Sequence, residues 1–428
     1  MLTSNTDDSI SNSGVLPSLT TVHLATAACD ALHASLILST KLRHLDLDLG
    51  FKPRISPSDA DNTVVCEYLE QVVRIAPEIE RISIRGRASE RLNRAVSSMS
   101  NLRVLCLRIG TSLMTDTLMA ISTFPLLSEL EIHAGHIEVD GLVAPPPSHR
   151  DPDSSTFPLL RKLHVRAHTS LIELLLQNLQ QDTLRSLRIE AENPAQPPIL
   201  WNTLFHLINI KGSNTLLDLT IEHHIDFDDL DLDNHNTNTN IDTETDADHN
   251  TQALDYKSNN PLTLNILRSL SPLHHLRRFV LDTSLPPALC DHDIGHMTKW
   301  WPDLEHLDLG SLPILECINH RWNPGMTIAS LRVFANTLPR LTSLILPLTI
   351  AGLPAAMAVP VTSRQGTLRR LTIGSIYTPE PTLMAQYLNS LFPSLVEVDG
   401  APEHEEDWKN VQSALFELHL ERKTTIVR

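Results

Sequence analysis

The densest group of reactive side-chain types in this 428-residue chain is the run Cys290-Asp291-His292-Asp293-Ile294-Gly295-His296. Histidines four apart share one face of a helix, where two imidazoles can hold one metal ion, as in the H-E-x-x-H zinc motif. That motif places glutamate directly after the first histidine. Here the position is Asp293, whose shorter side chain holds its carboxylate differently. A metal-dependent hydrolase using His292 and His296 is therefore the remote alternative. The plainer reading is a spacer helix with Asp291 or Asp293 near its N-terminus, where a carboxylate satisfies free backbone N–H groups.

Other chemistry is weaker still. Asp229, Asp231 and Asp233 have the alternate spacing of a calcium loop, yet its sixth and twelfth positions are Asn234 and Asn240 instead of glycine and glutamate. Cys106 falls at an exposed strand position without a matched His and Asp pair, and His223-His224 and His274-His275 flank strands as surface residues. No G-x-S-x-G, Walker-type loop or Rossmann fingerprint occurs, and 14 glycines leave little material for phosphate cradles. The expectation is no catalytic residue, no cofactor and no metal.

Charge narrows the partner class. The formal net charge is -17, but nine acidic residues and no Lys or Arg lie between Asp226 and Asn250, leaving -17 + 9 = -8 elsewhere. Nucleic acid is excluded as an expected partner, because its phosphates call for a net basic face. Five scattered cysteines, odd in number and without a C-x-x-C, suit a reducing compartment. The polar start MLTSNTDDSISNSG has no signal-peptide pattern, and no run approaches the roughly 18 apolar residues of a membrane helix. A cytoplasmic or nuclear protein with no membrane partner is expected.

What must position any site is a repeat. The phrase L-x-x-L-x-L recurs from Leu19-Val22-Leu24 and Leu42-Leu45-Leu47 through Leu127-Leu130-Ile132 and Leu216-Leu219-Ile221 to Leu368-Leu371-Ile373, with a degenerate copy at Leu395-Val398. Its second and third apolar residues are two apart, so on a strand they point together into a core while their neighbours face solvent. Proline stands two positions before the first apolar residue in seven copies (Pro17, Pro77, Pro125, Pro158, Pro302, Pro339, Pro393), a natural stop between helix and strand. Between phrases, Val64, Val65, Tyr68, Leu69, Val72 and Val73 have helical spacing, as do Leu171, Leu174, Leu175 and Leu179. Strand and helix alternating at an irregular repeat length predict an α/β leucine-rich-repeat solenoid, with a curved parallel sheet on the concave face and helices on the convex face.

The predicted organisation is a disordered tail over 1–15 and a solenoid of about 13 irregular repeats over 16–402. A disordered acidic insert interrupts it at 226–260, because so few apolar residues cannot offset the entropy of ordering. Pro145 to Pro147 mark a second, shorter loop. A capping helix and tail fill 403–428, where Trp408, Val411, Leu415 and Leu418 make one stripe able to cover the last layer. No comparable stripe precedes the first phrase. A partner, a second copy or another domain is therefore expected to cover that layer.

The segments FPLLSELEI, FPLLRKLHV, WPDLEHLDL and FPSLVEV, with the closing EEDWKNVQSALFELHLE, resemble the irregular repeats of fungal F-box/LRR proteins over about residues 16 to 420. The resemblance implies a protein-recognition scaffold like the substrate-binding region of an F-box/LRR ubiquitin-ligase receptor. The F-box itself is absent ahead of the first phrase, so a Skp1-type adaptor is expected only if that domain is missing from this chain. The alternative is a free-standing LRR regulator or inhibitor unconnected to ubiquitin.

Alternation names the partner-facing residues in advance. They are Arg81, Arg85, Arg108, Lys162, His164, Arg166 and Arg188, interrupted by Glu129, Glu131 and Glu190, with Arg278, Asp282, His306, Asp308 and Arg370 from later copies. A basic stripe of this kind could steer an acidic segment of a protein partner onto the concave face.

Overall fold

The computed structural model describes residues 16–25, 38–50, 63–137, 139, 156–192, 201–223, 262–283, 287–310, 325–350, 352–353, 356, 365–375 and 380–426. The leucine phrases become 13 strands of a parallel sheet whose spatial order is the chain order. The acidic insert, the Pro145–Pro147 loop and the 1–15 tail lie outside the described residues.

The chain divides into two compact units, residues 1–167 with 178–180 and residues 168–177 with 181–428. The first carries β1 (Thr21–Leu24), β2 (His44–Asp48), β3 (Arg81–Arg85), β4 (Val104–Arg108), β5 (Glu129–His133) and β6 (Lys162–Ala167). Its helices are α1 (Thr63–Ile75), α2 (Glu90–Ser97) and α3 (Thr115–Ser122). The second carries β7 (Ser186–Ala191), β8 (Asp218–His223), β9 (Arg278–Thr283), β10 (His306–Asp308), β11 (Ser343–Pro347), β12 (Arg370–Gly374) and β13 (Glu397–Gly400). The helices that follow are α4 (Thr169–Asn178), α5 (Trp201–Gly212), α6 (Leu264–Leu267), α7 (Asp291–Met297), α8 (Ser330–Thr337), α9 (Pro381–Leu391) and α10 (Glu405–Ile426).

Register turns the phrases into apolar ladders. In the first unit Leu45, Ile82, Leu105, Leu130 and Leu163 are successive cross-strand neighbours, and all are buried. The second unit repeats the device through Leu187, Leu219, Phe279, Leu307, Leu344, Leu371 and Val398. Buried parallel strands of this kind stack because every layer contributes an apolar side chain at the same register position.

Two backbone features hold the layers in register. Proline occupies the second position of a tight turn: Ile79 N–H donates to the Ala76 carbonyl at 3.2 Å around Pro77, and Leu304 N–H to the Trp301 carbonyl at 3.2 Å around Pro302. The fixed φ of proline suits that position, so the residue sets the turn as well as ending the helix. At most strand entrances one carbonyl then accepts two N–H groups from the next repeat, as Arg43 does from Glu80 and Arg81, both at 2.9 Å.

The helices bury faces slightly rotated from those the spacing suggests. In α1 the buried set is Val65, Cys66, Tyr68, Leu69 and Val72, while Val64 is exposed. In α4 it is Leu171, Ile172, Leu175 and Leu176. The difference is a rotation of less than one residue step, set by contact with the neighbouring layer. At the C-terminus α10 packs on α9 and β13. Trp408, Val411 and Leu415 are buried there and Leu418 is half-buried. Gln412 satisfies two backbone groups along the last strand, its Oε1 accepting from Val398 N–H and its Nε2 donating to the Val396 carbonyl, both at 2.7 Å. A free sheet edge invites unwanted pairing, and this side chain blunts it. Among the described residues no helix is long and apolar enough to cross a membrane.

Candidate functional site

All fifteen partner-facing candidates (Arg81, Arg85, Arg108, Glu129, Glu131, Lys162, His164, Arg166, Arg188, Glu190, Arg278, Asp282, His306, Asp308 and Arg370) lie on strands, at positions pointing away from the ladders. Strand register sorts them into rows. One row of the first unit runs Arg81, Val104, Glu129, Lys162; the next runs Asp46, Ser83, Cys106, Glu131, His164. A third contains Asp48, Arg85 and Arg108, and His133 lies opposite Arg166. In the second unit Asp218, Arg278, His306, Ser343, Arg370 and Glu397 make one row, with Asp308 in the row beside it.

Those rows neutralise much of the basic stripe expected from the sequence. Lys162 Nζ lies 2.8 Å from Glu129, Arg85 lies 4.0 Å from Asp48, and Arg370 lies 3.3 Å from Glu397. Arg188 lies 3.0 Å from both Glu190 and Glu222. The cause is lateral spacing: side chains opposite each other on adjacent strands are close enough to pair. The face is thus a lattice of alternating charge, and its arms reach solvent; the Lys162 and Arg370 side chains are 59% and 72% exposed.

Glu131 is the centre of the tightest cluster. Arg108 grips its carboxylate with two hydrogen bonds, Nε to Oε1 at 2.5 Å and a terminal nitrogen to Oε2 at 3.1 Å. His164 Nδ1 lies 3.3 Å and His133 Nε2 3.8 Å from the same Oε1. The two imidazoles meet edge to face with centroids 6.0 Å apart. Burial pushes the Glu131 carboxyl up, but hydrogen bonds from His164, Arg108 and Cys106 outweigh it and hold the group well below the usual carboxylate range. Cys106, expected at an exposed position, is buried between its row neighbours Ser83 and Glu131. Burial first, then the Glu131 charge, push its thiol up to about 12, which removes it as a nucleophile.

The second unit has a different electrostatic centre. Asp308 Oδ1 accepts the Gly310 N–H at 2.9 Å, yet burial dominates and, aided by Asp282, pushes the carboxyl up to about 6 against the pull of Gly310 and Arg278. Beside it, burial and the flanking Arg278 and Arg370 push His306 down to about 4.

The run from Cys290 to His296 takes its plainer form. His292 and His296 do meet on α7, Nε2 to Nε2 at 3.2 Å. The nearby carboxylates are spent on structure: Asp293 accepts the Cys290 N–H at 3.0 Å, and Asp291 accepts from Thr327 N–H at 2.8 Å, from Thr327 Oγ1 at 2.6 Å and from the Ser330 hydroxyl. They cap α7 and tie it to α8. His133 belongs to the Glu131 cluster but is missing from the candidate set. The same alternation that named Glu129 and Glu131 points to it, two residues further along β5.

Layer upon layer of strand, tight turn and buried leucine phrase makes this an α/β protein of the leucine-rich-repeat kind. No protein-family model matches the sequence, and no curated protein matches it. Solved structures similar to it include an LRR protein of Leptospira interrogans (12% identity, TM-score 0.37), with 92% of this chain and 89% of that chain covered. The yeast complex of Rad7 and Elc1 is another (14% identity, TM-score 0.35; 81% and 84% covered). A Bacteroides fragilis protein is a third (11% identity, TM-score 0.30; 91% and 77% covered). Identity is low throughout, and the repeat architecture rests on this chain's own ladders.

Proposed function

We propose that this chain is a non-enzymatic protein-recognition scaffold that takes its partner on the charged strand face, in the manner of the substrate-binding region of an F-box/LRR ubiquitin-ligase receptor. The observation that carries the reading is the registered lattice of outward charges on the strands. Exposed ion pairs are each worth only about 0–1 kcal/mol, so a partner can exchange them at little cost. Such a lattice contributes specificity and encounter rate, while affinity comes from a few anchoring contacts. Because acids accompany the arginines, the face selects a partner with alternating charge in preference to a uniformly acidic segment. The ubiquitin link rests on the resemblance of the repeat phrases, and a Skp1-type adaptor would need an F-box beyond the repeats. The cytoplasm or nucleus is the proposed setting.

Charge reversal tests this. Arg85→Glu, Arg108→Glu and Arg166→Glu together are expected to abolish capture of a partner that the parent chain retains, with the far-ultraviolet circular dichroism unchanged. Reversal of Glu90 and Arg94, which pair with each other on α2, serves as the control and leaves capture intact. Equal capture by the triple variant and the parent would remove the strand face from the account.

A further inference from the structure

We propose that Glu131, His133 and His164 form a binding site for a divalent transition-metal ion of the zinc class on the strand face of the first unit. The donor atoms all lie within 4.8 Å of one another. Ligands held at about 2.0–2.1 Å in a tetrahedron stand about 3.3 Å apart. Glu131 Oε1 is already 3.3 Å from His164 Nδ1 and 3.8 Å from His133 Nε2, close to that spacing, and side-chain rotation would draw the trio onto one ion.

The supports are rigid. Glu131 and His133 are two apart on β5 and so share a face, and His164 is the direct neighbour of Glu131 on β6. The three side chains are only 20–24% exposed, which limits competition from bulk water. Arg108 orients the carboxylate with two hydrogen bonds, one to Oε2 and one that shares Oε1 with the metal, the outer-shell role that fixes metal ligands. Two imidazoles and one carboxylate suit Zn²⁺, Co²⁺, Ni²⁺ or Cu²⁺, whereas Ca²⁺ and Mg²⁺ call for all-oxygen sets. On binding, His164 Nδ1 becomes a ligand and must give up any proton it carries. Three protein ligands leave a coordination position open, on the face proposed for recognition, where water or a partner's side chain can sit.

The histidine pair of α7 supplies a built-in comparison. It offers two donors, and its neighbouring carboxylates are occupied by backbone and hydroxyl groups. Among the described residues the Glu131 trio alone gathers three donors.

The experiment is titration of the full chain with Zn²⁺ by calorimetry, and with Co²⁺ followed by visible absorption, in a non-chelating buffer. The parent is expected to show one site per chain. H292A/H296A keeps it, while H133A and H164A each weaken it by about 100-fold, with loss of the Co²⁺ band. H133N and H164Q, polar replacements that do not carry an imidazole nitrogen to the ligating position, give the same loss with the circular dichroism of the parent, which separates ligation from folding. Absence of a stoichiometric site in the parent, its loss in H292A/H296A, or binding by H133N and H164Q equal to the parent's would each overturn the proposal.

Discussion

Truncating Trp408 to alanine opens the last layer of the repeat array, and its consequence can be worked from the packing. The indole is 2% exposed and lies against Gly400, where even a single Cβ would overlap its ring. A buried tryptophan removes about 150–250 Å² from water, worth about 4–6 kcal/mol at 25 cal/mol per Å². Against that, Trp408 Nε1 is buried with no hydrogen-bond partner among the described residues, a cost of about 1–3 kcal/mol that truncation also removes. The net expected loss is about 3 kcal/mol, in line with the cost of other large-to-small core changes. Each layer of a repeat protein touches only its neighbours, so the damage begins locally. Native-state hydrogen exchange should show protection falling in β13, α9 and α10 by that amount while β7 and β8 keep theirs. Trp408→Phe, which keeps a ring and discards the orphaned N–H, is expected to cost less than about 1 kcal/mol. Uniform acceleration over the second unit, or unchanged protection in β13, would refute the local-cap reasoning.

Two further outcomes follow from buried polar groups. Asn93 is 1% exposed and donates to the Ser89 and Ser112 carbonyls at 3.0 and 2.9 Å while accepting Met114 N–H at 3.2 Å. Asn93→Ala strands those backbone groups and is expected to lower urea stability by about 2–4 kcal/mol; a loss under about 0.5 kcal/mol would show that water replaces the amide. Asp308 and His306 give opposing pH dependences. Asp308 folds with its pKa raised to about 6, so its contribution falls as pH rises from about 4 to 6. His306 folds with its pKa lowered to about 4, so its contribution rises over about pH 4 to 6.5. These two contributions oppose each other in that window, so Asp308→Asn should gain more stability than the parent between about pH 4 and 6.5, by about 2 kcal/mol once His306's partial exposure is allowed for, read by urea midpoints. Profiles of equal slope in parent and variant would mean that Asp308 titrates normally.

Much of the fold was legible because the repeat obeys short-range rules. A two-residue period decides which side chains enter a strand-backed core, and it named the ladder from Leu45 to Leu163 without any long-range information. Helix faces were legible less sharply. In α1 and α4 the buried stripe is turned slightly, because packing between layers, not spacing within a helix, sets the final rotation. The α7 motif shows the converse: His292 and His296 meet as their spacing requires, but Asp291 is bound by Thr327 and Ser330, residues far along the chain.

Local order along the chain dictated the phrase, its alternation and the outward position of every charged candidate, since each depends on residues within a few positions of one another. Lateral register lay beyond it. Helices and loops of unequal length separate the strands, so only the folded sheet decides that Arg108 and His164 flank Glu131, that His133 joins them, or that Arg370 faces Glu397. Charges that read along the chain as a basic stripe become ion pairs across it, because neighbouring strands bring opposite signs to within a few ångströms.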